Sequence, residues 1–114
     1  MAKTQFELES YAIRLGGTYD HTYGHTTIQV FGFISCVGPD FMLNVYFLAD
    51  GSPVPPAHID SDLTSGVLFL QKDMMPLWID LLRHESPMWV SINTDSPEST
   101  RISTSAESIG EDEN

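Results

Sequence analysis

Two apolar runs in the middle of the chain limit what it can fold into. "TTIQVFGFISCVG" (Thr26 to Gly38) and "FMLNVYFLAD" (Phe41 to Asp50) flank Gly38-Pro39-Asp40. Their β-branched and aromatic side chains suit a pleated surface, and Gly-Pro-Asp is turn chemistry. An antiparallel hairpin is expected. Both runs carry apolar residues at odd and even positions. Ile28, Val30 and Ile34 alternate with Phe31 and Phe33; Phe41, Leu43, Val45 and Phe47 alternate with Met42, Tyr46 and Leu48. A strand apolar on both faces lies centrally or packs against a partner. Gly32, inside the first run, marks a bend, a bulge or a close backbone approach.

The flanking segments supply further elements. "TQFELESYAIRL" changes phase, with Phe6 and Leu8 on one parity and Tyr11, Ile13 and Leu15 on the other. A strand with a one-residue bulge near Glu9-Ser10 would bring both sets to one face; a short helix over 4–15 is the alternative. Gly16-Gly17 is expected to end this segment. Residues 50–62 hold three prolines and a loop. "GVLFLQ" (Gly66 to Gln71) reads as a buried strand. A helix follows over about 73–84, where Met75, Trp78, Ile79 and Leu82 form one apolar face. Asp73 is placed to cap it, Pro76 fits its first turn, Arg83 and His84 suit its last turn, and Ser86-Pro87 stops it. "MWVSIN" is a strand with Met88, Val90 and Ile92 inward, and "STRIST" a final edge strand. The expected fold is mainly β (α+β): an antiparallel sheet, or a small OB-like barrel, of roughly five or six strands with one covering helix. The barrel rests on element order alone. Residues 1–104 form one β-rich domain and 105–114 an acidic C-terminal tail.

Charge narrows the partners. Sixteen acids stand against five Lys and Arg, a formal net charge of −11. Lys3, Arg14, Lys72, Arg83 and Arg101 are dispersed, so no basic run marks a nucleic-acid or anionic-membrane surface. Nucleic-acid binding is disfavoured, because phosphate contacts draw their affinity from neutralised charge. No apolar run approaches the roughly 18 residues of a membrane helix, and the N-terminal residues lack a signal-peptide core. Cys36 is the single cysteine; an apolar strand makes it a buried, inert thiol, and the lack of an internal disulfide framework points to the cytoplasm.

One stretch has the look of a motif: "GGTYDHTYGHTT" (Gly16 to Thr27). His21 and His25 form an H-x₃-H pair, and with His58 or nearby carboxylates could ligate a metal. Threonines and glycines disfavour a helix there. In an extended segment the two histidines lie ~13 Å apart, at roughly 3.3 Å per residue, too far for one zinc unless the chain turns at Gly24. The same parity sets Tyr19, His21, Tyr23 and His25 on one face, which suits an interface. Trp89 is a further candidate contact residue. His58, Asp60 and Asp62 resemble a fragment of a metal loop without its glycine and terminal glutamate. Asp80 and His84 are an i, i+4 surface pair. No phosphate loop, nucleophile elbow, CxxC or H-E-x-x-H occurs.

These features lead to a non-enzymatic interaction or assembly domain that forms a homo-oligomer or binds a protein partner, without a cofactor. The alternatives are a small-ligand or metal-binding domain using His21 and His25, and an OB-like single-strand binder with an acidic tail. With a pI near 4.3, solubility should fall steeply as pH drops from 7 toward that value; turbidity that stays flat from pH 8 to about 4.5 would contradict the charge argument.

Overall fold

The computed structural model describes residues 3–60, 62, 64–93, 96–97 and 100–104; the acidic tail expected over 105–114 lies outside them. The elements are β1 (Lys3–Glu7), β2 (Ser10–Tyr23), β3 (Thr26–Val37), β4 (Met42–Leu48), β5 (His58–Ile59), β6 (Ser65–Gln71), a 3₁₀ turn (Lys72–Met74), α1 (Met75–His84), β7 (Met88–Asn93) and β8 (Arg101–Thr104). They build two open sheets, one of five strands in the order β2-β3-β4-β6-β5 and one of three in the order β1-β7-β8. The mainly-β architecture with one helix is as expected, and β3 and β4 pair antiparallel. Three points of the expected topology are corrected. Neither sheet closes into a barrel, the described strands exceed six, and β4 and β6 run parallel. The proline-rich loop is what permits that parallel pair, because it returns the chain to the starting end of the sheet before β6 begins.

The phase change near Glu9 is a change of sheet, not a one-residue bulge. Leu8 N donates to Met88 O at 2.8 Å, and Glu9 N donates to Val37 O at 2.7 Å. The chain thus leaves the three-stranded sheet and joins the five-stranded one within two residues. Phe6 and Leu8 pack on the core from one sheet and Ile13 from the other.

Gly16-Gly17 does not end β2. Leu15 is paired with Gly32 and Tyr19 with Val30, so Gly16, Gly17 and Thr18 stand opposite Phe31 alone. On the other side of β3, Val30 pairs with Leu48 and Gly32 with Phe47. Against β4, Phe31 is an extra residue that reverses the side-chain parity of β3; against β2 the excess lies on β2, three residues to one. Ile28 and Val30 end on one face and Ile34 on the other, although their spacing suggested a common face.

Both faces are covered, as the two-sided pattern requires. The main core joins Ile34, Cys36, Leu43, Val45, Phe47 and Leu68 to Met75, Trp78 and Leu82 of α1 and to Val90 and Ile92 of β7. A smaller cluster of Ile28, Val30, Leu48 and Phe69 occupies the opposite face, with Tyr23 and Tyr46 packed on it. The helix carries its predicted stripe, and Trp78 meets Phe47 edge-on at 6.1 Å. Its start differs in detail. The N-cap position is Met74 with no side-chain cap, and Asp73 lies in the preceding 3₁₀ turn. The first turn is instead held by burial of Met75, which is 1% exposed.

Gly32 lets α1 approach the sheet. A methyl group there would lie 2.9 Å from the Arg14 carbonyl oxygen and 2.9 Å from Met75 Cε. The backbone oxygen belongs to a paired strand and yields little. Gly32→Ala should therefore lower the unfolding free energy by about 1–3 kcal/mol, read as a lower midpoint in urea at unchanged slope.

Candidate functional site

The histidine-tyrosine stretch forms the end of a long hairpin. Tyr23 pairs with Thr26, which leaves Gly24-His25 as a two-residue turn. Gly24 has φ +63, the left-handed conformation that such turns require and that glycine adopts without steric cost. Tyr19, His21 and Tyr23 pair with Val30, Ile28 and Thr26, so their side chains share a face with Val30, Ile28 and Tyr46. The turn carries His25 away from them, and it is exposed. Trp89 is on β7, in register with Glu7 and Ser103, in the other sheet. The structure thus groups Tyr19, His21 and Tyr23 and separates His25 and Trp89 from them.

His21 and Tyr23 pack on their own sheet. His21 stacks on Tyr46 at 5.7 Å between centroids, with 15° between planes. Tyr46 stacks on Phe69 at 5.7 Å and 17°. Tyr23 meets Phe69 edge-on at 5.0 Å, and Phe33 tilts against Tyr46 at 5.4 Å. Within this row the stacked ring faces are turned toward one another. Burial, then the neighbouring Tyr19 and Tyr23, push the Tyr46 phenol above its ordinary 10.0. Of the row's neighbours Tyr19 stays outermost, at 44% exposure.

A second group lies at the opposite edge of the five-stranded sheet. The Asp60 carboxylate accepts from Ser65 Oγ through one oxygen and meets His58 Nε2 at 3.1 Å through the other. The geometry is a carboxylate clamp. Nucleophilic catalysis needs the hydroxyl bonded to the imidazole, and here serine and histidine both face the acid. Asp62 accepts from Thr64 N at 3.1 Å and Thr64 Oγ1 at 2.8 Å, which closes the adjacent turn. Among the described residues no three His, Cys, Asp or Glu side chains are grouped so as to hold one metal ion. Asp80 and His84 stand 3.7 Å apart on the exposed side of α1. Cys36 is fully buried, and burial pushes its thiol up to about 12, so thiolate chemistry has no footing at neutral pH.

The feature that sequence reasoning missed is an edge. β2 is a strand of 14 residues and pairs on one side only among the described residues. The other edge strands are short: β5 has two residues, β1 five and β8 four. Along β2, Tyr11, Leu15 and Tyr19 are 37%, 62% and 44% exposed. The length of the strand was signalled by the alternation of residues 10–23, which the glycine pair divides into two apparent elements, but its position at an edge has no local signal. No helix among the described residues is long and apolar enough to cross a membrane. Comparison with known proteins finds no match to a family model, to a curated protein or to a solved structure.

The Ser65 and His58 hydrogen bonds hold the Asp60 carboxyl below its ordinary 3.8. A depressed folded-state value means that the clamp's contribution is complete above pH 3.8 and is lost as pH falls through the folded value. Titration of Asp60 followed by carboxyl ¹³C NMR should give a midpoint below 3.8, and Ser65→Ala should move that midpoint upward.

Proposed function

We propose that this domain is a non-enzymatic interaction module that self-associates through the outer edge of β2. The observation that carries the reading is the long, one-sided strand. Edge strands present a row of backbone donors and acceptors, and folded proteins commonly keep them short or cover them. The other three edges follow that pattern. β2 departs from it and adds three exposed apolar side chains. A second copy running antiparallel along Ser10–Leu15 would extend the five-stranded sheet and cover Tyr11 and Leu15 without opposing like charges, because Arg14 is the only charged residue of that segment. The clamp geometry of His58, Asp60 and Ser65 and the buried Cys36 favour binding over catalysis. A cytosolic setting agrees with a lone thiol held in the core.

The like charge of two copies opposes their approach and is screened by salt. Light scattering on the eluting protein at about 100 µM should therefore give roughly twice the 12.7 kDa chain mass, with the dimer fraction rising between about 20 mM and 300 mM NaCl. Tyr11→Lys with Leu15→Lys should return it to a folded monomer whose unfolding midpoint no longer depends on protein concentration. A monomer under all these conditions would sink the proposal.

A further inference from the structure

Neither a positive φ nor a close neighbour within the chain requires the two glycines of the β2 bulge. Glycine is used where φ is positive or where another group comes close. Neither Gly16 nor Gly17 lies in the left-handed region, and a methyl group on either would meet nothing within 4 Å. Gly24 and Gly32 differ, since one has positive φ and the other touches backbone. Gly16 and Gly17 form part of the wall of a notch of about 340 Å³, where β2 pulls away from β3. Arg14, Tyr19, Phe31 and Phe33 complete much of its lining. The Arg14 guanidinium has no ion-pair or hydrogen-bond partner among the described residues, in a chain where acids outnumber Lys and Arg 16 to 5. The notch adjoins an apolar groove of about 370 Å³ beside α1, sharing Leu15 and Phe31 with it.

We propose that this notch binds a small molecule bearing an anionic group, a carboxylate or a phosphate, on a planar apolar body. Arg14 supplies a planar fork that matches either anion. The glycine pair leaves the bulge backbone open, so that its N–H groups can be approached closely. Gly16, Gly17 and Thr18 have no paired residue on β3. Phe31, Phe33 and Tyr19 supply apolar wall for the body of the ligand. A volume of this size fits one ring and its acid, at the small end of ligand pockets. The inference goes beyond the assembly role and does not depend on it.

Titration of ¹⁵N-labelled protein with benzoate, phenyl phosphate and benzyl alcohol, in about 150 mM NaCl to screen the net charge, tests the site. At least one of the two acids should shift the amide signals of Gly16, Gly17 and Thr18 and the Arg14 Nε–H signal, with Kd on the order of 1 mM for a fragment of roughly ten non-hydrogen atoms. Whichever acid binds more tightly identifies the anion. Arg14→Gln, an exposed substitution that leaves the fold intact, should weaken binding about tenfold or more. Gly17→Val should weaken it similarly while keeping or raising the unfolding midpoint. The proposal is overturned if neither acid shifts these signals up to about 20 mM, a concentration well above the expected Kd. It is equally overturned if benzyl alcohol binds as tightly as the acids, or if Arg14→Gln binds like the parent.

Discussion

The molecule is organised around the need to cover β3 and β4 on both faces. Each large side chain removed from water there is worth roughly 1.5–3 kcal/mol, and Ile28, Val30, Ile34, Leu43, Val45, Phe47 and Leu48 are all fully buried. One face is covered by α1 and the three-stranded sheet. The other is covered largely by side chains of the same sheet, because His21 reaches Tyr46 and Tyr23 reaches Phe69. The bulge at Phe31 makes this division possible. It passes the apolar residues of β3 from the smaller cluster to the main core partway along the strand.

That arrangement also explains what the suggestive motif does. Its His21 and Tyr23 rings are spent on packing, and its second histidine occupies a turn. Several polar groups are drawn into local closures: Asp60 with Ser65 and His58, Asp62 with Thr64, Lys72 with Asp50 at 3.5 Å. Among the described residues β2 carries a backbone edge paired on one side, the exposed Tyr11, Leu15 and Tyr19, and an Arg14 guanidinium without a partner. Association along this edge and ligand binding at its bulge use neighbouring but different chemistry, main-chain pairing in one case and charge with close backbone approach in the other.

Several elements were legible because their signals are local. The helix stripe of Met75, Trp78, Ile79 and Leu82, the inward Met88, Val90 and Ile92, and the β3–β4 hairpin all follow from side-chain period and turn chemistry. The misreadings came from positions where a local rule has two structural outcomes. A phase change can be a bulge or a change of sheet, and at Leu8–Glu9 two backbone hydrogen bonds to different strands decided it. A glycine pair can end a strand or lie in a bulge within it, and Gly16-Gly17 lies in a bulge. Parity over residues 28–34 failed because one inserted residue inverts every side chain beyond it. The exposed edge could not be read at all, since it depends on which strands lie beside β2 and which do not.

The sequence by itself determined a mainly-β domain with one helix, the residues of that helix's buried face, and a strongly acidic surface. These depend on composition and on periods of two and 3.6, which operate over a few residues. Only the tertiary structure decided that there are two open sheets, that β4 and β6 are parallel, that His21 and His25 part company, and that β2 stands at an edge with Arg14 beside an open bulge. Each of these is a matter of long-range pairing, where the partner of a strand is chosen by packing across the whole chain and not by its own side chains.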